Sequence, residues 1–469
     1  MAQVKALAWI IAAALALPAA VSAQDAVALD AQARARMGEG DATAAIRLMR
    51  EHVANHPDDQ AAVLDLARYL TWNGDYAAAM RVLDAAPQAR DGTDGQQVRA
   101  MLLAWAGRVD AAQAANAPLL QQAPEALLPN YTQAIALRQT ARPRAALPYV
   151  EAVEQARPGS RDATDLARAT RIRTDSFVAL DVQHGEDSDD LGRWTPALRA
   201  EVAQGEAIRY TAELGRWRYT APLSSPFVAI DGARSVAEDR ALVGVRYAPG
   251  LRTTLGAAVG VSNLDGDGET LWRLSLDQRA SDSWRFGLLA DHDRFAASPR
   301  ALSLGIDRTG LAGSVHWTPD LLWTGDLWLR RDHYGDGNDS LAVNAAVRRA
   351  VVRAPRFLLD LGGAVEHQHF DEDPGDGYYA PDNYRRFAAT ASAYASLGDN
   401  AGLSLQLGLG RQRDENFASW RRANDIAVAL VFGIYSPWQL GLNAAYSERV
   451  QMTGAYTGRS WGMTLTRRF

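Results

Sequence analysis

Strict alternation of apolar and polar residues dominates the sequence from about residue 176 to its end. In the closing segment "SWGMTLTRRF", Trp461, Met463 and Leu465 fall on one face, and Phe469 ends the chain on that same face. A period of two indicates β-strands with one apolar and one polar side. The pattern covers nearly 300 residues without a helical period. It therefore predicts one large antiparallel sheet.

The connections between the predicted strands alternate in length. Short ones, such as 281–283 and 398–400, alternate with longer acidic and glycine-rich segments at 263–269, 334–340 and 370–383. Short turns at one end and long loops at the other are typical of an outer-membrane barrel. Ten of the thirteen tryptophans lie in this part, as the aromatic girdles at the two membrane interfaces require. Alternation alone leaves a soluble β-sandwich open.

A strand count back from Phe469, with residues 220–238 as one long loop, gives sixteen strands. In lipid, no backbone group can stay unpaired, so a sheet of this kind must close on itself. We therefore expect a closed transmembrane barrel with Trp461, Met463, Leu465 and Phe469 facing lipid. Arg467 interrupts this apolar face where its charged end can reach interfacial water.

Residues 24 to about 172 have a different period. Helical units begin at Gly40, Gly74, Gly107 and Ala141, and a small residue recurs at Ala45, Ala79, Ala112 and Ala146. A helix–turn–helix unit of about 34 residues is the signature of tetratricopeptide repeats, in which small residues let paired helices pack closely. Pro148 predicts a late or kinked second helix in the fourth unit. A last helix, Asp162 to Arg171, would cap the stack.

The N-terminal residues indicate export. Lys5 precedes an apolar run that ends in the small residues Val21-Ser22-Ala23, which is the pattern of a secretory signal peptide. A membrane-anchoring helix is the alternative, but the run is short. The chain has no cysteine, so closure of the sheet or repeat packing must stabilise it instead of disulfides. The net charge of −6 argues against nucleic acid as a partner.

The predicted organisation has three parts. Residues 1–23 form the signal peptide, residues 24–172 a tetratricopeptide-repeat α-solenoid in the periplasm, and residues 173–469 an outer-membrane β-barrel. The fold class is therefore α plus transmembrane β.

Three segments of the barrel part resemble a known family. They are "GYYAPDNYRRFAATASAYASLG" (377–398), "GLGRQRDENFASWRRANDIAVAL" (408–430) and the closing "WQLGLNAAYSERVQMTGAYTGRSWGMTLTRRF". With the preceding repeats, they are similar to exopolysaccharide-export outer-membrane porins of the poly-β-1,6-N-acetylglucosamine type, and more distantly to the cellulose-export subunit. The repeat region here is shorter than is usual in that family.

The resemblance implies passive conduction of an exopolysaccharide from the periplasm to the surface of a Gram-negative cell. The repeats would receive the polymer or periplasmic proteins, and the barrel would contact outer-membrane lipid. A barrel-anchored scaffold, or a surface receptor without polymer transport, is the alternative function.

A saccharide conduit needs many weak, replaceable polar contacts and aromatic faces. The polar strand faces supply lumen candidates at Asp277, Asp326, Trp328, Arg330, Asp360 and Glu366. Acidic outer loops that could attract a cationic polymer contain Asp265, Asp267, Glu269, Asp371, Glu372 and Asp373. The alternative for these loops is that their charge only keeps them solvated.

No catalytic, metal or cofactor site is predicted. The segment "DGDGE" (265–269) lacks the full ligand spacing of a calcium loop, and "EHQH" (366–369) lacks the remaining ligands of a tetrahedral site. No nucleophile elbow, phosphate loop or zincin motif occurs, so the sequence predicts a protein that is not an enzyme.

Overall fold

The computed structural model describes residues 23–469, so the predicted signal peptide lies outside the described residues apart from its last position. The chain packs as two compact units, one that ends at Val98 and one that comprises Arg99–Phe469. None of the described helices combines the length and the apolar character that a bilayer-spanning helix requires.

The N-terminal part is helical. Its helices are α1 (Ala23–Gly38), α2 (Ala42–Asn55), α3 (Gln60–Trp72), α4 (Tyr76–Asp84), α5 (Pro87–Asp91), α6 (Thr93–Trp105), α7 (Val109–Gln122), α8 (Leu127–Leu137), a 3-10 turn (Pro143–Ala146), α9 (Leu147–Ala156) and α10 (Arg161–Thr174). The four alanines predicted to allow close helix packing, Ala45, Ala79, Ala112 and Ala146, are all 0 % exposed. The tetratricopeptide architecture is confirmed.

The turns that open the repeats share one backbone shape. Gly40, Gly74 and Gly107 have φ values of +85°, +80° and +75°, a left-handed conformation that favours glycine. The fourth repeat has Ala141 at this position and enters its second helix through the 3-10 turn. Pro148 then lies in the first turn of α9, where its missing N–H costs nothing. The predicted late start of this helix is confirmed.

The C-terminal part is one antiparallel sheet of sixteen long strands. They are β1 (Phe177–Asp187), β2 (Gly192–Gln204), β3 (Ile208–Thr220), β4 (Ser235–Tyr247), β5 (Thr253–Leu264), β6 (Asp267–Arg279), β7 (Trp284–Arg294), β8 (Asp307–Trp317), β9 (Trp323–Tyr334), β10 (Asp339–Ala354), β11 (Phe357–Phe370), β12 (Tyr384–Ser396), β13 (Ala401–Arg413), β14 (Asp425–Phe432), β15 (Trp438–Ser447) and β16 (Gly458–Arg468). A two-residue strand, Arg421–Arg422, extends the pairing of β13.

The sheet closes into a barrel because β1 pairs with both β2 and β16. The closing register runs from Phe177 opposite Arg468 to Asp187 opposite Gly458. Closure leaves no free sheet edge, which is the condition for a sheet to stand in hydrocarbon.

The two ends of the barrel differ in their connections. Segments of two to five residues join the strands at the turn end, which contains residues 205–207, 248–252, 280–283, 318–322, 355–356, 397–400 and 433–437. The opposite loop end contains residues 188–191, 221–234, 265–266, 295–306, 335–338, 371–383, 414–424 and 448–457. Phe469 and the C-terminal end of α10, the helix that leads into β1, lie at the turn end.

Two of the predicted long loops are wrong. Residues 263–269 form a tight hairpin in which Asp265 and Gly266 have φ values of +50° and +94°. This is the Asp-Gly turn that matches the twist of a two-residue hairpin, so the flanking strands continue to the turn. Asp267 and Glu269 therefore lie in β6, not in a loop. The segment 334–340 is likewise reduced to the turn 335–338.

The outward face of the barrel is apolar, and it is exposed. Leu214, Val243 and Leu311 are 56 %, 62 % and 61 % exposed, although each stands in the middle of a strand. A β-sandwich would bury such side chains under a second sheet, so the structure excludes that alternative. On β16, Trp461, Leu465 and Phe469 also point outward, and the Arg467 guanidinium lies 5.4 Å from the Trp438 ring. The lipid-facing prediction for the last strand is confirmed.

Candidate functional site

The inward strand faces line a cavity of about 500 Å³ in the barrel lumen. Six neighbouring strands, β6 to β11, supply most of its polar surface, because alternate residues of each strand point inward. The polar and aromatic residues that line this cavity are Asp277, Arg285, Phe286, Ser314, His316, Asp326, Trp328, Asn344, Glu366 and Arg449. We call this group the lumen cavity.

Four of the six predicted lumen residues meet at this cavity: Asp277, Asp326, Trp328 and Glu366. The other two lie elsewhere on the inward face and are bound by neighbours. Arg330 donates hydrogen bonds of 2.7 Å to Asp332 and 2.7 Å to Asp291, and it is 8 % exposed. Asp360 accepts from Arg353. Arg330 thus braces the wall rather than facing the lumen.

The carboxylates of the lumen cavity differ in how far neighbouring cations neutralise them. His316 Nδ1 lies 2.7 Å from the Asp326 carboxylate, which also pairs with Arg348. Glu366 accepts a 2.7 Å hydrogen bond from Arg386 and a further one from Arg449. Asp277 makes no ion pair within residues 23–469 and is exposed. Asp277 is therefore the carboxylate most available to a solute.

Sequence reasoning missed the cations that face these carboxylates. Arg348, Arg386 and Arg449 have inward positions on β10, on β12 and after β15, so strand parity alone could have placed the first two. It also missed Trp217, whose ring lies 4.0 Å from the Arg240 guanidinium on the inward face. The lumen is a mixed-charge surface with two inward tryptophans.

Loops fold over the loop end of the barrel. The segment 295–306 contains a short helix, α11 (Pro299–Ser303), of which Ala301 and Leu302 are fully buried. Ser298 donates a 2.6 Å hydrogen bond to the Gly377 carbonyl, and the Arg300 amide donates one of 3.0 Å to the Phe227 carbonyl. Three long loops are thereby joined. Beneath them, aromatic rings pack together at Phe295, Tyr334, Phe370 and Tyr378.

The predicted acidic residues lie at this loop end, and most have partners. Asp267 pairs with Arg294 at 3.0 Å, Glu269 with His292 at 3.3 Å and Asp371 with His369 at 3.4 Å. Asp373 accepts from the Gly375 amide, and Glu372 donates its own amide to Asn338. Asp265 holds the hairpin turn. Asp265, Asp267, Asp371, Glu372 and Asp373 are nevertheless exposed, and attraction of a cationic polymer by these residues stays a prediction.

At the turn end, α7 is fastened to the barrel through Arg108. The Arg108 guanidinium donates to the carbonyl oxygens of Asp282 at 2.9 Å, Thr318 at 2.8 Å and Asp320. Burial lowers the pKa of Arg108 from its ordinary value. Two adjacent barrel turns, 280–283 and 318–322, are thus held by one side chain.

The same contact supplies the cap of α7. The Asp282 carboxylate accepts hydrogen bonds of 2.9 Å from the Asp110 amide and 2.9 Å from the Ala111 amide. An acceptor at a helix N-terminus satisfies free N–H groups and complements the helix dipole. Asp110 in turn pairs with Arg252 at 2.9 Å and Arg279 at 3.2 Å.

The fourth repeat is fastened in the same way. Arg142 donates 2.8 Å hydrogen bonds to the carbonyl oxygens of Ala248 and Pro249, and the Ala141 amide donates to that of Leu251 at 3.0 Å. We call Arg108 and Arg142 the docking arginines.

A second cavity, of about 810 Å³, lies between the helices and the turn end. Trp105, Tyr131 and Tyr435 give it aromatic faces, Asp162, Asp165 and Asp399 give it acidic groups, and Arg138, Arg161 and Arg168 give it basic ones. Burial raises the pKa of the Tyr131 hydroxyl. We call this the collar cleft. Its mixture of aromatic rings and carboxylates matches that of the lumen cavity.

Comparison with known proteins bears on the fold of both parts. A family model described as Tetratricopeptide repeat matches residues 36–102. No curated protein sequence matches the chain. Among solved structures, a bacterial polysaccharide outer membrane secretin is 13 % identical, with a TM-score of 0.54 over 63 % of this chain and 99 % of that one. This likeness shows the barrel fold of outer-membrane proteins.

Two further solved barrels match more weakly. CdiB from Acinetobacter baumannii is 8 % identical, with a TM-score of 0.40 over 63 % of this chain and 60 % of that one. The outer membrane protein opdK from Pseudomonas aeruginosa is 10 % identical, with a TM-score of 0.35 over 63 % of this chain and 98 % of that one.

Proposed function

We propose that the protein conducts an exopolysaccharide across the outer membrane of a Gram-negative bacterium. The turn end faces the periplasm, so the repeats stand in the periplasm and the loop end stands at the cell surface. The polymer passes through the barrel lumen. The observation that carries the proposal is the lumen cavity, where carboxylates, an amide and a tryptophan face one continuous space.

The chemistry of the lumen cavity suits a sliding sugar chain. The Trp328 indole offers an aromatic face for a pyranose ring, and Asn344 and Asp277 offer hydrogen bonds to hydroxyl and amine groups. Because Asp326 and Glu366 already pair with cations, their attraction for a passing group is weakened. Weak, replaceable contacts permit movement, whereas one tight site would stop it.

The polymer we propose is poly-N-acetylglucosamine-like and partly deacetylated. Its free amines would be cationic, and Asp277 in the lumen cavity and Asp162 in the collar cleft would attract them, whereas Asp165 already pairs with Arg161 and Arg168. The barrel's likeness to a polysaccharide secretin supports this substrate class, although the likeness itself is one of fold.

The collar cleft supports a receiving role for the repeats. It lies at the turn end, where a polymer from the periplasm must reach the barrel, and Trp105 and Tyr131 pack with their rings 6.5 Å apart. The docking arginines hold this part of the helices against the barrel. Periplasmic proteins that deliver or modify the polymer are the second class of partner for the repeats.

Current recordings in planar bilayers test the proposal. Partly deacetylated β-1,6-glucosamine oligomers on the turn side should reduce the current through the purified protein. Asp277→Asn should weaken this block about fivefold, since one lumen charge in a watered site is worth about 1 kcal/mol. Asp239→Asn is the matched control, because Asp239 lies on the outward face of β4 and pairs with Arg216. Equal block in both variants would contradict the proposal.

The joined loops at the loop end favour a second candidate. Hydrogen bonds among segments 221–234, 295–306 and 371–383 cover the loop end, as expected for a barrel that anchors a periplasmic scaffold or displays a surface receptor. Such a barrel would show negligible conductance. Ser298→Ala and Gly377→Ala both disturb the contact between two of these loops, and in a gated conduit they should raise the open probability. If the barrel is a closed anchor, neither variant should produce a measurable conductance.

A further inference from the structure

Three potential metal ligands converge at the rim of the loop end. Glu269 lies near the start of β6, His292 near the end of β7 and Asp307 at the start of β8, so three adjacent strands supply them. One ligand atom from each of these residues lies within 4.8 Å of the other two. The side chains are 30 %, 17 % and 32 % exposed, so water and ions can reach them.

The two imidazole nitrogens of His292 have different partners. Nδ1 lies 2.8 Å from the Thr309 hydroxyl, whereas Nε2 lies 3.3 Å from Glu269 and 4.0 Å from Asp307. The Thr309 hydroxyl can accept from Nδ1–H, so a metal that replaces the proton on Nε2 leaves the ring with a hydrogen-bond partner, as outer-shell partners of ligating histidines do. Trp272 stacks beside the ring with an interplanar angle of 13°.

The spacing is close to that of a tetrahedral site. Metal–ligand distances of about 2.0–2.1 Å imply ligand atoms about 3.3–3.4 Å apart. His292 and Glu269 already have this separation. Asp307 lies 4.0 Å from His292 Nε2 and its ligand atom lies within 4.8 Å of that of Glu269. It must therefore approach by up to about 1.5 Å, which a carboxylate rotation at a strand terminus can supply.

Other histidines at the loop end lack this convergence. His369 has two carboxylate neighbours, but Asp371 faces its Nε2 at 3.4 Å and Asp382 faces its Nδ1 at 3.3 Å. One ion cannot bind both nitrogens of one ring. His333 pairs with Asp339 at 3.4 Å and, in the part of the chain that the structure describes, belongs to no such three-ligand group.

We propose that Glu269, His292 and Asp307 bind a divalent transition-metal ion, and that the ion is zinc. The ligand set contains an imidazole nitrogen, whereas calcium and magnesium prefer shells made only of oxygen ligands. Three protein ligands leave a fourth position for water. By joining β6, β7 and β8, the ion would brace the barrel rim beside the covering loop 295–306.

Zinc titration of the full chain in detergent, purified without a histidine tag, tests this proposal. Calorimetry should show one zinc site, and Mg²⁺ at the same concentration should give no heat. His292→Ala should weaken zinc binding by about tenfold or more. His333→Ala is the matched control, because it removes a rim imidazole that pairs with only one carboxylate, and it should bind zinc as the wild type does.

X-ray absorption of the zinc-loaded protein gives a second readout that does not depend on variant folding. It should show nitrogen and oxygen ligands with one imidazole. Absence of a zinc site in the wild type, or equal affinity in the wild type and His292→Ala, would overturn the proposal. Polymer conduction could fail without affecting either result.

Discussion

The first two repeats and the last two use the same turn for different purposes. In the first two, an aspartate follows the turn glycine: Asp41 accepts a 3.0 Å hydrogen bond from the Ala44 amide, and Asp75 accepts one of 3.1 Å from the Ala78 amide. In the last two, the docking arginines Arg108 and Arg142 stand at this position and donate to barrel carbonyl oxygens.

The difference shows how one side chain decides what a repeat turn does. An aspartate caps its own helix, so the turn satisfies its own N–H groups. An arginine cannot accept, so α7 has no cap from within its own turn and takes one from Asp282 of the barrel. The helix is completed only when it is docked. In the first three repeats the sequence position and the left-handed turn glycine are the same, but the partner differs.

The largest effect is expected from Arg108→Asp. The new carboxylate would lie among three carbonyl oxygens and beside Asp282, and three charge-assisted hydrogen bonds would be lost. We expect docking to weaken by about 3 kcal/mol or more. Hydrogen exchange of the α7 amides should rise, whereas the barrel should keep its heat-modifiable migration in gels. Asp41→Arg, at the equivalent position of the first repeat, should leave α7 unchanged. Unaltered exchange in Arg108→Asp would contradict the docking role.

A smaller effect is expected from Asp282→Ala, which removes the borrowed cap of α7. Loss of an N-cap costs about 1–2 kcal/mol, and the exchange of the Asp110 and Ala111 amides should report it. In the double variant Arg108→Asp/Asp282→Ala, α7 should regain a cap of the type seen in the first two repeats. The double variant should therefore be less destabilised locally than the sum of the two single variants. If the destabilisation of α7 in the double variant equalled the sum of the two single variants, the distinction between self-capped and docked turns would be contradicted.

Asp75→Ala should cost about 1 kcal/mol, because it removes a single self-supplied cap. Hydrogen exchange should rise in α4 alone. If the α7 amides also exchanged faster in this variant, the distinction between self-capped and docked repeats would be wrong.

The smallest effect concerns pH and the first unit. The hydrogen bond from His52, and then that from the Ala62 amide, lower the pKa of the Asp59 carboxyl. A lowered folded-state pKa stabilises the fold above the ordinary carboxyl range, and this contribution is lost as the pH falls through the folded-state value. The protection of the α2 and α3 amides, measured relative to the intrinsic exchange rate at each pH, should thus fall on acidification. Asp59→Asn keeps a capping oxygen without the charge and should flatten that pH dependence.

Much of the architecture could be predicted from the sequence because it depends on two regular spacings, the two-residue alternation of the strands and the 34-residue repeat of the helices. Alternation placed Asp277, Asp326 and Glu366 on the inward face without knowledge of any contact. The spacing of small residues placed Ala45 and Ala112 at helix contacts. The parity of β16 likewise placed Trp461 and Leu465 outside.

What failed depends on contacts between distant segments. The 171-residue separation of Ala111 and Asp282 gives no local signal that one caps the other. Arg330 is likewise bound by Asp291 of another strand rather than free to contact a solute. This pairing between distant residues also has no local sequence signal. The acidic, glycine-rich composition of residues 263–269 predicts a loop, but the Asp-Gly turn at Asp265 is tight enough for Asp267 and Glu269 to lie in β6.

The passage of polymer through the lumen can be tested most directly with cysteine chemistry, since the chain has no cysteine of its own. Ala346→Cys places a thiol in the lumen cavity, and Ala345→Cys places one on the neighbouring outward position of β10. In cells that secrete the polymer, a thiol reagent large enough to fill the cavity should stop release from the Ala346→Cys strain and spare the Ala345→Cys strain. Continued release from a fully modified Ala346→Cys protein would contradict the account.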